Sequence, residues 1–188
     1  MKNLYRLLLN TPSAIALFIV SIIAMVANTW ATSILNASYA ASRFPVPYYE
    51  AQLSFSPEKV KGWYAYLIQV ETLDRYITTQ HIDSLFILST LFLHVSVLTL
   101  ISRLFAVGSQ SRRILVVCAL LSAIAPISDQ LENLVSYVML ANPVGFPNFL
   151  VYIYSSFSTL KFSMFVFSYV AALLGLLCGI GQRFMQRR

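Results

Sequence analysis

The sequence predicts an all-α, polytopic membrane protein: a four-transmembrane-helix bundle with an additional external amphipathic helix between spans one and two. Three observations predict it. Of the 188 residues, 58% are hydrophobic and only 11% charged, where a soluble domain carries roughly a quarter charged residues. Charge is absent from Leu7 to Ser42, from Ser84 to Ser102 and from Phe162 to Gln182, and each run suffices for a span of about 20 residues. The basic residues are also segregated. Lys2, Arg6, Arg103, Arg112, Arg113, Arg183, Arg187 and Arg188 fall on one side of such a bundle, and all seven acids fall elsewhere. Uncharged stretches of this length are unlike the alternating segments of about ten residues that build a β-barrel.

In chain order, the spans are expected at about 12–36, 82–105, 114–140 and 158–181, within a single domain over 1–188. The first begins after Lys2 and Arg6. Its apolar stretch is longer than a signal-peptide core, and removing it would set an odd number of spans against the charge bias, so it is expected to be retained. By the positive-inside rule the basic side is cytoplasmic and both termini are inside. The external segment 37–81 holds Ser56-Pro57-Glu58, which has the residue types of an N-cap, a first-turn proline and an early acid. A helix over about 57–80 is expected there, with Val60, Tyr64 and Leu67 on one face. Its aromatic residues, Trp63, Tyr64, Tyr66 and Tyr76, suit a membrane–water boundary. Pro126 is expected to bend the third span. Pro143, Gly145 and Pro147 then prevent a helix from continuing across the connection to the fourth.

The most informative residues are Asp129, Glu132, Asn133 and Tyr137, spaced i, i+3, i+4, i+8 on one face of the third span. A carboxylate facing lipid costs about 2.5–3.5 kcal/mol on insertion scales, so Asp129 and Glu132 are expected to face other helices, water or a ligand. Asp129 lies about 22 Å along a span that starts near Ile114. Asp83, at the outer end of span two, and Lys161, near the outer end of span four, fall at the same depth. The candidate polar site is therefore Asp83, Asp129, Glu132, Asn133 and Lys161, in the outer-leaflet half of the bundle. Its four ionisable groups carry a nominal charge of −2, which a low-dielectric site resists unless a carboxyl holds its proton or a cation supplies the balance. Glu71, Asp74 and His81 are expected to roof this cluster, as a divalent-cation or polar-headgroup site would need, although their spacing matches no established metal-ligand motif. His94, about 16 Å deeper than Asp83, is expected to be a neutral buried histidine bonded to a neighbouring helix. Cys118 and Cys178 lack any paired spacing and are expected to be small buried apolar groups.

The combination of Gly62, Tyr66 and Asp74, the span opening Asp83-Ser84-Leu85-Phe86, the run Asp129-Gln130-Leu131-Glu132-Asn133 and the element Thr159-Leu160-Lys161-Phe162 resembles a family of uncharacterised bacterial four-span integral membrane proteins. The resemblance covers about residues 50–170. It implies the four-span architecture, the bacterial cytoplasmic (inner) membrane and the position of a polar site, but no activity. A looser likeness, at the level of fold only, is to sterol-isomerase and sigma-2-receptor-like four-span proteins, whose intramembrane acids line a lipid-facing pocket.

No nucleophile triad, phosphate loop, dinucleotide fingerprint or zincin motif is present, so the sequence names neither a reaction nor a cofactor. Nucleic acid is not an expected partner; membrane lipid is, with a membrane-protein partner or a second copy as further options. Three functions fit. The first is binding of, or action on, a lipid-like or amphipathic molecule, which requires a cavity among spans two, three and four that opens laterally or beneath the external helix. The second is a structural or accessory subunit whose charges lock helix packing, which requires Lys161 within about 4 Å of a carboxylate and every polar atom satisfied. The third is a component of proton- or cation-coupled transport, which requires a polar route through the inner halves of the spans.

Overall fold

The computed structural model describes residues 2–185; Arg187 and Arg188, which contribute to the charge bias, lie outside it. Eight helices and no strand occur among the described residues. They are α1 (Lys2–Asn10), α2 (Ala14–Ala41), α3 (Tyr48–Gln52), α4 (Pro57–Gln69), α5 (Leu73–Ser102), α6 (Gln110–Ser122), α7 (Ile124–Leu140) and α8 (Phe149–Met185). Four stretches are long and apolar enough to cross a membrane: α2, α5, α6 continued by α7, and α8. The 28 residues of α2 measure about 42 Å and the 37 of α8 about 55 Å, so each extends past a hydrocarbon core of roughly 30 Å.

The helices are inverted relative to those of a soluble protein. On α7, Ser128, Asp129, Glu132, Asn133 and Ser136 are buried, while Ile127, Leu131, Leu134 and Val138 face outward. An apolar exterior around a polar seam is unfavourable in water and favourable in lipid.

α5 is the central element and packs against α2, α6, α7 and α8, whereas α2 has its main contacts with α5 alone. Small residues permit that approach. Besides Leu17, the buried positions along α2 are the small residues Ser21, Ala24 and Ala31, and polar groups stitch the seam: Ser21 Oγ donates to Ser96 Oγ at 3.0 Å, and Asn28 Nδ2 donates to Thr90 Oγ1 at 2.7 Å. Between apolar helices in lipid, close packing and such bonds replace the hydrophobic drive. α8 approaches the α5–α6 corner through Gly179, where a Cβ would stand 2.8 Å from the Leu104 Cβ. At the same end, Arg103 and Arg112 donate to the backbone carbonyls of α1, Arg103 to Leu8 and Leu9 and Arg112 to Leu9. These are the orphan acceptors of a helix C-terminus.

Several expectations require correction. The helix expected over 57–80 stops at Gln69, because Glu71 adopts a left-handed φ of 57°. A Schellman cap closes it, with Thr72 N–H donating to Leu67 O and Glu71 N–H to Ile68 O. Residues 73–80 therefore open α5 and extend the second span. The N-terminal signal holds: Ser56 Oγ accepts from Lys59 N–H, with Pro57 in the first turn. Val60, Tyr64 and Leu67 do form the buried stripe of α4. Tyr64 and Tyr76, expected at a membrane boundary, are core residues packed with Met139, Phe146 and Tyr154. Burial pushes the Tyr64 phenol up to about 12, which keeps it neutral. The bend expected from Pro126 is a break at Ala123 between α6 and α7, one turn earlier, where the imide can no longer donate to the Ser122 carbonyl. Cys178 is exposed and Cys118 half-buried, rather than both buried.

Candidate functional site

α7 supplies the centre of the site. Its helical period sets Asp129, Glu132 and Asn133 on the inward face, and they are 3%, 0% and 1% exposed. From α8, Lys161 reaches across, itself 3% exposed. Its Nζ lies 2.9 Å from Asp129 Oδ1 and 2.6 Å from Glu132 Oε2. The first contact is a well-formed hydrogen bond. The second is an ion contact without hydrogen-bond alignment, and Glu132 Oε1 has no hydrogen-bond partner. From α5, Asp83 Oδ2 accepts from Asn133 Nδ2 at 2.7 Å. The five residues expected to converge do so, through three helices. These Lys161 contacts are the only ion pairs among the described residues.

A cavity of about 240 Å³ adjoins the cluster. Asp83, Asp129, Asn133 and Lys161 line it, and Glu132 does not. The cavity is partly open, and it exists because α2 and α8 do not pack closely on each other. Thr32, Asn36 and Tyr39 of α2 form one wall and Phe162, Phe165 and Tyr169 of α8 another, with α5 between them. A second cavity of about 230 Å³ continues along α5 past His94, sharing Phe86 and Tyr169 with the first. Charged side chains line the first, and mostly apolar ones line the second. Comparison of the chain with protein-family models, with curated proteins and with solved structures finds no match.

The expected roof is not where the sequence put it. Glu71, Asp74 and His81 are exposed and none lines the cavity. The helix break at Glu71 removes it from the α4 stripe, and Asp74 and His81 then follow the outward face of α5. His81 instead meets the Tyr137 ring edge-on at 5.3 Å. The cover is α3, through Tyr48, Ala51 and Gln52, anchored by the Phe55 N–H donating to Ser155 Oγ of α8 at 3.2 Å. No group of three His, Cys, Asp or Glu side chains converges as metal ligands would among the described residues. His94 is buried edge-on against the rings of Phe165 and Tyr169, with Nδ1 unpartnered rather than bonded to a neighbouring helix.

Sequence reasoning missed Tyr76 and Gln80 on α5 and Thr32, Asn36 and Tyr39 on α2, all of which line the cavity. The signal was present. Tyr76, Gln80, Asp83, Thr90 and His94 share one helical face, as do Asn28, Thr32 and Tyr39. Assigning residues up to 80 to an external helix hid the first of these stripes. Tyr48 and Gln52 lie on a five-residue helix that no periodicity announces.

Proposed function

We propose that this is a multi-pass protein of a bacterial inner membrane, with both termini cytoplasmic, whose bundle binds a lipid-like or amphipathic molecule through a polar site in its outer-leaflet half. One observation carries the reading: a cavity lined by Asp83, Asp129, Asn133 and Lys161 adjoins a second, largely apolar cavity between α2 and α8. Such a shape takes a polar head and a chain, and its partly open form between two helices offers entry from lipid. The orientation is supported by the gathering of Arg6, Arg103, Arg112, Arg113 and Arg183 at the opposite end from α3 and α4. The four-span resemblance fits the same picture.

A second reading, in which the charges only lock helices together, is favoured by the Lys161 contacts that tie α8 to α7. Against it stand the cavity and the unpartnered Glu132 Oε1, Ser136 Oγ and Gln80 Oε1, since a purely structural network would be fully bonded. Native mass spectrometry of the detergent-purified protein separates the two. A co-purifying lipid is expected on the wild type and should be lost from Thr32→Trp, which fills the cavity, with thermal stability retained. Absence of any adduct, or an adduct indifferent to Thr32→Trp, would overturn the binding function.

A further inference from the structure

We propose that the head of this ligand carries a protonated primary or secondary amine, and that Asp83 is the carboxylate that receives it. The assignment rests on the amphiphile reading above and names the chemistry of the head. Charge is the first argument. Lys161 is the one cation of the cluster and is already held between Asp129 and Glu132, so the triad is net anionic before Asp83 is counted. Asp83 has no cation within 4.0 Å among the described residues; Asn133, its hydrogen-bond donor, is neutral. A phosphate or carboxylate head would meet Asp83 and Asp129 at close range with no unengaged cation to offset the repulsion. An ammonium would find an unpaired carboxylate.

Hydrogen bonding argues the same way. Three donors of the wall are engaged within the protein: Asn133 Nδ2 on Asp83, Tyr39 Oη on the Val46 carbonyl, and Gln80 Nε2 on Tyr76 Oη at 2.9 Å. The buried side-chain atoms of the wall left without partners are acceptors, Gln80 Oε1 and Gln52 Oε1, and Gln80 is only 8% exposed. Asp83 Oδ1 likewise accepts no hydrogen bond from the described residues. A set of free acceptors around an unpaired carboxylate calls for a ligand that brings N–H donors and positive charge, and an alkylammonium has donors only. Aromatic rings complete the environment. Tyr76, Tyr154 and Phe162 line the cavity, and the Phe162 ring already faces a cation, Lys161 Nζ, 5.0 Å from its centroid. A quaternary ammonium would meet the rings but leave the acceptors unpaired.

The test uses the full-length protein in lipid nanodiscs and isothermal titration with tetradecylamine, tetradecanol, tetradecanoate, tetradecyltrimethylammonium and butylamine. Tetradecylamine is expected to bind roughly tenfold or more tighter than the alcohol and the trimethyl analogue, with tetradecanoate weakest. Asp83→Asn should erase the preference of amine over alcohol. Equal binding of tetradecanol or tetradecanoate overturns the amine assignment and leaves the amphiphile reading standing. Butylamine binding as tightly as tetradecylamine overturns the role of the chain and keeps the amine. No binding by any long-chain probe overturns both. An amine preference that survives Asp83→Asn overturns the role of Asp83; should that variant not fold, the wild-type ranking alone decides the head group, and Gln80→Met, expected to weaken the amine several-fold, tests its acceptors.

Discussion

Replacing Lys161 with methionine keeps a long unbranched side chain at the α7–α8 seam and removes only its charge. The wild-type ammonium lies 2.9 Å from one carboxylate and 2.6 Å from another, and those residues are 3% and 0% exposed. At an effective dielectric constant near 20, each attraction is about 6 kcal/mol before desolvation is subtracted. Desolvation of the ammonium offsets much of that, and breaking a buried pair by removing one partner costs about 3–5 kcal/mol in net terms. Here a single substitution strands two anions, so the expected loss lies at or above that range. For a chain of this size each kcal/mol moves Tm by about 2–4 °C, which gives a fall of roughly 6–20 °C. Thermal melts followed by near-ultraviolet circular dichroism in one detergent measure it. The triple variant Lys161→Met/Asp129→Asn/Glu132→Gln removes all three charges and is expected to recover most of the loss, because a neutral seam has no ion left to desolvate. A single variant within about 2 °C of wild type, or a triple variant no more stable than the single one, would refute the view that these charges are mutually dependent.

Three further outcomes are expected. Asn28→Leu removes the bonds from α2 to Ser89 and Thr90 and should destabilise by about 1 kcal/mol, the scale of interhelical polar contacts in lipid, read as a lower Tm. Gly179→Leu forces α8 off Leu104 and should cost about 1–3 kcal/mol, whereas Gly181→Leu, with nothing within 4 Å of its added Cβ, should leave the melt unchanged. Arg103→Gln releases the Leu8 carbonyl at α1's C-terminal end and leaves the Leu9 carbonyl to Arg112 alone. It should therefore speed amide hydrogen exchange across residues 2–12 while α5 keeps its protection.

Much of the architecture was written along the chain in one dimension. Apolar run length is tied to membrane thickness, so α2, α5, α6–α7 and α8 were each legible as spans, with boundaries off by up to about two and a half turns. The 3.6-residue period put Asp129, Glu132 and Asn133 on one face, and depth counting brought Asp83 and Lys161 to them. Local chemistry also placed the start of α4 at Ser56-Pro57. Its end was not legible, because the left-handed residue that closes it is Glu71 and no glycine marks the spot.

What only the tertiary structure decided is how the helices share space. That Lys161 joins both Asp129 and Glu132 while Asp83 turns to Asn133 depends on the distances between helices, which no periodicity along a single helix specifies. The cavity has the same origin. α2 follows α5 because Ser21, Ala24, Asn28 and Ala31 permit close approach and bonding there, and it consequently stands off from α8. By itself the sequence determined which residues must leave the lipid and at what depth, since solvation acts on each side chain singly. Whether those residues seal against one another or border an open groove was settled by packing, which acts on surfaces that the chain order does not bring together.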